Sequence, residues 1–515
     1  MPRIRKYLTM MLAGFLLTSC SADSGREAET VIAVDPRKAS EVNGGVFEGW
    51  GTSLCWWANR IGYSEVLSRL AAEAFCDPEK GLGLNILRYN IGGGDDPAHR
   101  HITRTDSMIP GYWQNPVYDE ATGDYAWEYD WTQDAGQRNV LFHCLQVYGK
   151  ELIVEAFSNS PPYFMTNSGC SSGAKNAGQN NLRDDAYDAF AQYLADVAEH
   201  FDKEWGIRFQ SLSPMNEPDT AYWQAMSEKQ EGCHFDPGPS QSRILSAVAE
   251  KLKEKGMESI LIAGTDETSI DTQAKSLMLL SDEALAVISR VDTHAYAGSG
   301  REALRRRALE KNKNLWMSEV DGGQTLGSGA GEMGAGLWLA REILTDLNEL
   351  TPSAWILWQV IDSHICKAGY LGRKDTGMVD TSGGYWGVAV ADHDREQLVL
   401  TMKYYVFGQF TRYIRPGCRL IAAGGDAVAA EDPGQKRLVV VAVNTESAEK
   451  PARVDLSAYG DAVAAGSEVR VIRTSGSMDS GEHWTELPVL KTEEGGFSAR
   501  LAPFSVTTFL IPWQP

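Results

Sequence analysis

The sequence Ser-Pro-Met-Asn-Glu-Pro at residues 213–218 follows directly on an apolar, strand-like run at residues 207–212. It places a carboxylate, Glu217, where a buried strand should end. A second stretch of similar design, Leu-Trp-Met-Ser-Glu-Val at residues 315–320, contains Glu319. Two carboxylates at the ends of buried strands are what the hydrolysis of a glycosidic bond requires, one as acid/base and one as nucleophile. We therefore predict that these two glutamates meet in space.

The segments around these motifs alternate between apolar runs and longer stretches that can form helices. Eight such runs begin at residues 46, 84, 152, 207, 260, 291, 315 and 354. Alternation of this kind is typical of βα units, and eight of them predict an α/β fold, a (β/α)8 TIM barrel. An open doubly wound sheet has the same periodicity, but no Gly-rich phosphate fingerprint follows the first run.

Polar residues cluster after these predicted strands, which is where barrel enzymes carry their chemistry. Past residue 416 the pattern changes to short β-branched runs separated by Gly, Pro, Ser and Asp, as in a β-sandwich. We predict a catalytic barrel over residues 46–415 and a side-associated all-β sandwich over residues 416–515. Residues 30–45 contain an early strand that we expect to join the sandwich.

The N-terminus has the features of an export signal. A basic start is followed by an apolar run at residues 8–17 and by Leu-Thr-Ser-Cys ending at Cys20. Residues 1–20 resemble a bacterial lipoprotein signal peptide with lipid attached to the thiol of Cys20, and residues 21–29 would be a flexible tether. We expect an exported protein anchored to a bacterial membrane, the outer membrane or its external face. The alternative is a plain secretory signal that contains a cysteine by chance.

The chain is strongly acidic, with a formal net charge of −21 at pH 7. Such a surface repels nucleic acids and anionic membranes, so it excludes nucleic-acid partners and favours a neutral substrate, here a polysaccharide. We expect a monomer.

Cysteine and histidine spacing gives no metal signature. Seven cysteines remain after Cys20, none in a CxxC pair, and the nine histidines show no HxxxH or HExxH spacing. We therefore expect no metal and no cofactor, since acid/base glycoside hydrolysis needs neither. Cys170 and Cys233 lie in Gly-rich loops after neighbouring predicted strands, and export permits a disulfide bridge between them.

Several motifs together resemble one known family. These are the two glutamate motifs and the segment at residues 403–417, which looks like a final barrel helix running into a sandwich. The combination resembles glycoside hydrolase family 30, whose catalytic glutamates end the fourth and seventh barrel strands. The resemblance implies that Glu217 is the acid/base and Glu319 the nucleophile of a retaining enzyme.

Three further segments are similar to the endo-β-1,6-galactanase branch of that family. They are residues 49–58, 158–165 and 229–233. This likeness implies an endo-acting enzyme that cleaves β-1,6-galactan, as in the side chains of plant arabinogalactans.

Other residues at predicted strand ends are expected to serve the glutamates. Arg88 would orient the nucleophile and Tyr296 would donate to it, whereas Asn216 would bond the 2-hydroxyl of the sugar and Trp358 would stack beneath the ring. Each residue also has a structural alternative: an ion pair for Arg88, an amide that caps the backbone for Asn216, and core packing for Tyr296 and Trp358. Two further substrate contacts are expected, Trp57 and Asn159.

Two kinds of rival remain open. One is a family relative with another specificity: a β-1,6-glucanase, a xylanase, or an exo-acting glucosidase or fucosidase. The other is a non-catalytic glycan-binding surface lipoprotein, which would need stacking aromatic residues but not both glutamates.

Overall fold

The computed structural model describes residues 29–323, 327–370, 373–377 and 386–514. Residues 1–28, with the predicted signal, the lipidation site Cys20 and nearly all of the tether, lie outside the described residues. Over the described ranges, no helix has the length and apolar character needed to cross a membrane.

The first elements of the described chain run from the N-terminal strand to the helix that follows the fourth barrel strand. The strands are β1 (Thr30–Ala33), β2 (Gly49–Ser53), β3 (Ile86–Asn90), β4 (Trp113–Asp119), β5 (Asp124–Tyr129), β6 (Ile153–Phe157) and β7 (Ser211–Ser213). The helices are α1 (Trp57–Ile61), α2 (Glu65–Phe75), α3 (Ala135–Tyr148), α4 (Tyr187–Trp205) and α5 (Pro239–Glu254).

The remaining elements complete the barrel and build the second domain. The strands are β8 (Leu261–Glu267), β9 (Ile288–His294), β10 (Asn314–Val320), β11 (Ala354–Leu357), β12 (Ile361–Tyr370), β13 (Arg373–Thr376), β14 (Ala389–Asp392), β15 (Gln397–Leu400), β16 (Arg419–Ala422), β17 (Ala427–Asp432), β18 (Arg437–Asn444), β19 (Lys450–Asp455), β20 (Glu468–Ser475), β21 (Glu482–Lys491), β22 (Gly496–Leu501) and β23 (Ser505–Pro512). The helices are α6 (Ile270–Leu279), α7 (Asp282–Val287), α8 (Arg301–Glu310), α9 (Met333–Thr345) and α10 (Met402–Thr411).

Eight parallel strands close into a barrel in the order β2-β3-β6-β7-β8-β9-β10-β11, and the predicted fold is confirmed. Each strand overlaps one of the eight apolar runs, although β7 begins only at Ser211, near the end of its run. The amphipathic helices cover the outside; in α4, for example, Phe190, Leu194, Val197 and Phe201 are buried at helical spacing. This helix ends at Gly206, whose φ of +66° is a conformation that glycine adopts without strain.

Two antiparallel-rich sheets form the second domain. One has six strands in the order β16-β17-β18-β23-β20-β21, and the other has three, β1-β19-β22. The early strand β1 pairs in parallel with β19, so that Ile32 lies opposite Val454. Apolar side chains from both sheets form a separate core between them.

The last barrel helix, α10, joins the two domains. Its Gln409 side chain donates to Thr474 of the sandwich at 2.8 Å and accepts from Thr508 at 2.6 Å. Almost every residue of this helix is buried, because one face packs on the barrel and the other on the sandwich.

Two small sheets were not predicted. Residues 92–130 contain the hairpin β4–β5, and β12 to β15 form a four-stranded sheet after the last barrel strand. In the hairpin, partly buried residues alternate with exposed ones, as in a strand pair that rests one face on the protein. The many Gly and Pro residues around the hairpin made this alternation hard to recognise in the sequence.

Candidate active site

The two predicted glutamates meet at the carboxyl ends of the barrel strands. Glu217 follows the fourth strand, β7, and Glu319 lies in the seventh, β10. One carboxylate oxygen of each lies within 4.8 Å of the other and of a ring nitrogen of His294. Both glutamates line a cleft of about 290 Å³.

The backbone at Glu217 is held in an unusual conformation. Glu217 has φ of +48° and its N–H donates to the carbonyl of Asp266 at 2.8 Å, while Asp266 has φ of +60°. For residues other than glycine, such conformations cost on the order of 1–3 kcal/mol each, and they persist where the surrounding structure fixes them. Here Trp223 Nε1 also donates to the Glu217 carbonyl at 3.0 Å. The strained turn directs the carboxylate into the cleft.

Hydroxyl groups surround the Glu217 carboxylate. Thr268 Oγ1 donates to Oε1 at 2.6 Å, the Tyr222 hydroxyl donates to Oε2, and His294 Nδ1 lies 3.2 Å from Oε1. Each hydroxyl can also accept a hydrogen bond, so it remains a partner when this carboxyl carries a proton.

Glu319 has a different set of partners. Tyr296 donates its hydroxyl to Oε1 at 3.0 Å, and Arg88 Nη1 donates to Oε2 at 3.2 Å. Arg88 is fully buried and also pairs with Glu155 at 2.9 Å and with Asp266 at 2.5 Å. A guanidinium only donates, so its pairing favours the ionised form of Glu319.

His294 lies at the centre of the carboxylates. Its Nδ1 is 3.2 Å from Glu217 and 3.5 Å from Glu319, and its Nε2 is 3.2 Å from Asp266. Burial alone would lower the pKa of His294, but the charges of Glu319 and Asp266 outweigh it and raise that pKa well above its ordinary value. A cationic imidazole here partly neutralises the acidic cluster.

The two glutamates have opposite pKa shifts in the free site. Burial raises the pKa of Glu319 to about 7, against the opposing effects of His294 and Arg88. Burial also acts to raise the pKa of Glu217, but hydrogen bonds from His294, Thr268 and Tyr222 outweigh it and lower that pKa. Two carboxyls this close titrate as a coupled pair, and their interaction separates the two pKa values. The roles implied by the family resemblance require the opposite order, with the higher pKa on Glu217, the acid/base.

Aromatic side chains form the wall of the cleft. Trp358 and Trp56 both line it, with their ring centroids 5.0 Å apart and their planes at 88°. Trp386 adds a third ring, and the guanidinium of Arg104 lies 4.1 Å from the Trp56 ring centroid. Ring faces of this kind suit the apolar face of a sugar, and the structure places Trp358 where it was expected.

Asn216 also lines the cleft next to Glu217. It is 4 % exposed, and among the described residues its Oδ1 has no hydrogen-bond partner. A buried amide oxygen without a partner is costly unless a ligand supplies a donor, so Asn216 suits a substrate hydroxyl.

Two expected substrate contacts are not at the cleft. Trp57 is in the core: its Nε1 donates to the Ser53 carbonyl at 2.7 Å and its ring meets the edge of Phe75. Trp57 begins helix α1 and turns inward, whereas its neighbour Trp56 faces the cleft. Asn159 is 3 % exposed and is not among the residues that line the cleft.

The expected disulfide is wrong, because Cys170 and Cys233 are both free thiols. Their loops direct the two sulfur atoms to different partners. Cys170 Sγ lies 3.3 Å from His101 Nε2, and Cys233 Sγ faces the carbonyl of His234 at 3.6 Å.

Sequence reasoning missed several residues of the site. Tyr222, Thr268 and Asp266 were not singled out as contacts of the glutamates, and Trp56 and Trp386 were not assigned to the cleft. Proximity along the chain was a usable signal for Tyr222, five residues after Glu217, and for Thr268, which follows the fifth barrel strand, β8. Nothing in the sequence pairs Trp386 with the site.

Comparison with known proteins identifies the family. The model of O-glycosyl hydrolase family 30 matches residues 40–273. An endo-β-1,6-galactanase of Hypocrea rufa is 30 % identical over 500 residues, which cover 94 % of this chain and 95 % of that protein. This chain belongs to glycoside hydrolase family 30.

Two further relatives extend the comparison. An exo-β-1,6-galactobiohydrolase of Bifidobacterium longum subsp. longum is 26 % identical over 81 % of this chain, a match that spans 34 % of that longer protein. The catalytic domain of the family 30 xylanase C of Talaromyces cellulolyticus superposes with a TM-score of 0.69 at 18 % identity, covering 93 % of this chain and 99 % of that one. The structural likeness to the xylanase domain shows that the two chains share a fold.

Proposed function

We propose that this glycoside hydrolase cleaves β-1,6-galactan internally and with retention of anomeric configuration. The observation that carries the mechanism is the approach of Glu217 and Glu319 to within 4.8 Å between one oxygen of each. Retaining enzymes have carboxyl groups about 5–5.5 Å apart, whereas inverting ones keep about 6.5–9.5 Å to leave room for a water molecule. The pair is close enough for direct attack on the sugar and too close for an intervening water.

The partners of each carboxyl support the division of roles. Arg88 can only donate to Glu319, and Tyr296 adds a second donor, so this carboxylate is held ready to attack the anomeric carbon. Glu217 faces the hydroxyls of Thr268 and Tyr222, which remain good partners when it is protonated. We assign Glu319 as nucleophile and Glu217 as acid/base on this ground. This assignment requires the proton of the pair to be on Glu217 when the substrate is bound.

The reaction runs in two displacements. Glu217 gives its proton to the glycosidic oxygen while a Glu319 oxygen attacks the anomeric carbon, so that the carbon–oxygen bond breaks and a glycosyl ester forms. Glu217, now ionised, takes a proton from water, and the resulting hydroxide attacks the same carbon and releases Glu319. Two inversions leave the product in the configuration of the substrate.

The substrate class rests on the relatives and on charge. The relative that matches almost end to end is named for endo cleavage of β-1,6-galactan. A neutral galactan also suits a chain with a net charge of −21, which would repel a polyanion. Tryptophan rings at the cleft supply stacking faces for a neutral sugar.

Product analysis tests this assignment. De-arabinosylated arabinogalactan, β-1,6-glucan and xylan are digested in parallel, with Glu319→Gln as the inactive control, and products are sized over time. We expect a ladder of β-1,6-galacto-oligosaccharides from the first substrate alone. Release of a single disaccharide from the earliest times would support exo action instead, and cleavage of glucan or xylan would overturn the galactan specificity.

We further propose that the protein is exported and anchored by a lipid on Cys20. The basic and apolar pattern of residues 1–20 supports this. Expression in a bacterial host should place the wild-type protein in the membrane fraction and Cys20→Ala in the soluble fraction. Equal distribution of the two proteins would refute the anchor.

A further inference from the structure

Four potential metal ligands converge in the loops beside the cleft, outside the catalytic pair. Asp95 Oδ2 lies 2.7 Å from His101 Nε2 and 3.1 Å from His99 Nδ1, and Cys170 Sγ lies 3.3 Å from the same His101 nitrogen. All four ligand atoms are within 4.8 Å of one another. A search for HxxxH or HExxH spacing does not find these four residues, because the histidines are two residues apart and the cysteine comes from another loop.

The hydrogen-bonding capacity of His101 points to a cation at the centre of this cluster. Its Nδ1 is 2.6 Å from the carbonyl oxygen of Ser227, which can only accept, so Nδ1 must carry a proton. In the neutral ring Nε2 then presents a lone pair, and it faces the Asp95 carboxylate and the Cys170 sulfur. The Asp95 carboxylate and the Nε2 lone pair lie 2.7 Å apart and repel each other unless a cation or a further proton lies between them.

The surrounding groups orient these atoms as the outer contacts of metal sites do. Besides the Ser227 carbonyl on His101, the N–H of Ser171 donates to Asp95 Oδ1 at 2.8 Å and leaves Oδ2 to face the cluster. The N–H of Met226 lies 3.4 Å from Cys170 Sγ, a contact that stabilises a thiolate. Fixing the tautomer of a histidine and the rotamer of a carboxylate in this way is characteristic of metal ligation.

The ligand set and its dimensions fit zinc. A tetrahedral Zn²⁺ site with one sulfur, two imidazole nitrogens and one carboxylate oxygen has ligand-to-ligand distances of about 3.3 Å between N and O and about 3.6 Å between S and N. The distances of 2.7, 3.1 and 3.3 Å approach these values, and a small outward shift of each side chain makes room for the ion. A thiolate and a carboxylate together neutralise the ion, which suits a site of low exposure.

The position of the cluster gives it a structural role. Asp95, His99 and His101 come from the loop after the second barrel strand, β3, and Cys170 comes from the loop after the third, β6. Ser227, which holds His101, lies in the loop after the fourth strand, β7, two residues before Lys229. Lys229 and its neighbour Gln230 line the catalytic cleft. A metal here would tie the first two loops to each other and, through the contact between His101 and Ser227, to the loop that lines the cleft.

We propose that Asp95, His99, His101 and Cys170 bind one Zn²⁺ ion that fixes these loops beside the cleft. A cavity of about 300 Å³, lined by Asp95, His99 and His101, gives the ion access from solvent. Zinc binding is a property of these loops and does not depend on the substrate of the enzyme.

Metal titration of the purified full chain tests the site directly. The protein is stripped with a chelator and dialysed, and Zn²⁺ is titrated in competition with a chromophoric chelator, with the metal content counted by mass spectrometry. We expect one equivalent in the wild type and a loss of affinity of at least about 100-fold in His99→Ala and Cys170→Ser, since even outer contacts are worth about 10–100-fold. His143→Ala and Cys366→Ser, which change an imidazole and a thiol away from the cluster, should bind as the wild type does.

Cobalt gives an independent spectroscopic readout. Co²⁺ added to the stripped wild type should produce tetrahedral d–d bands and a thiolate-to-metal charge-transfer band, and the latter should be absent in Cys170→Ser. Because the wild type itself carries this signature, the test stands even if a variant folds poorly. Substoichiometric zinc in the wild type, unchanged affinity in His99→Ala, or a cobalt spectrum without the thiolate band would each overturn the proposal.

Discussion

Removal of one hydroxyl group, by Tyr296→Phe, probes how the proposed nucleophile is held. Tyr296 donates to Glu319 Oε1 at 3.0 Å, and its side chain is 39 % exposed. The substitution removes this donor and leaves the ring in place. It therefore separates the electrostatic contribution of the hydroxyl from any effect on packing.

The size of the effect follows from the charge on the acceptor. A hydrogen bond to a charged group contributes about 1.5–3 kcal/mol, and each 1.36 kcal/mol is a factor of ten in rate. We expect kcat/KM on β-1,6-galacto-oligosaccharides to fall by about 10- to 150-fold. The melting temperature should change little, because the ring of residue 296 and its packing are retained.

The pH dependence distinguishes this role from a structural one. The hydroxyl stabilises the ionised form of Glu319, so its loss raises the pKa of that carboxyl. Glu319 has the higher pKa of the pair in the free site, and kcat/KM reports the free enzyme, so the basic limb of the kcat/KM profile should move to higher pH in Tyr296→Phe.

A matched control is Tyr63→Phe, which removes an exposed tyrosine hydroxyl bonded to His393 at 2.8 Å, far along the chain from both glutamates. It should leave both rate and profile unchanged. If Tyr296→Phe keeps more than half of the wild-type kcat/KM, or loses activity without a shift of the basic limb, the proposed support of Glu319 by Tyr296 is refuted.

Five further substitutions test the site and the core. With a substrate that has an activated leaving group, Glu319→Ala in azide should yield the α-galactosyl azide, because azide replaces the nucleophile. Glu217→Ala should yield the β-galactosyl azide, because azide replaces water in the second step. The opposite products would reverse the two roles. Trp358→Ala should raise KM with little loss of melting temperature. Trp57→Phe should leave KM unchanged and cost about 1–3 kcal/mol of stability, because it removes the hydrogen bond to the Ser53 carbonyl and part of a buried ring. Similar KM values in both variants would count against the cleft assignment. Burial raises the pKa of Glu267 from 4.5 to about 7, so the native state keeps a proton that the unfolded chain releases and stability is lost as pH rises over that window. Glu267→Gln has no such proton, and its free energy of unfolding relative to wild type should grow by about 2–3 kcal/mol between pH 5 and pH 8; a pH-independent difference would show that Glu267 is already ionised in the folded protein.

The sequence predicted the barrel because each strand end left a local signal. An apolar run followed by a polar residue marks the carboxyl end of a buried parallel strand, and this placed both Glu217 and Glu319. Arg88 and Tyr296 were found in the same way, since each lies in or directly after a barrel strand. Strand periodicity thus carries information about which side chains share one end of the barrel.

Loop residues carried no such signal. Trp56 and Trp57 are adjacent and alike, and only the turn that starts helix α1 decides which ring faces the cleft. Cys170 was expected beside Cys233, but the backbone of its loop turns the thiol toward His101 instead. Such choices depend on tertiary contacts among long loops, which no spacing rule along one chain encodes.

The anomeric configuration of the first product tests the central claim most directly. Digestion of β-1,6-galactan is followed by proton NMR from the first minutes, before mutarotation mixes the anomers of the new reducing end. Double displacement by Glu319 and Glu217 predicts that β-configured galacto-oligosaccharides appear first and that the α-anomer follows by mutarotation. An α-anomer at the earliest time would contradict the proposed mechanism, because it would require a single displacement by water between two carboxyl groups that lie within 4.8 Å.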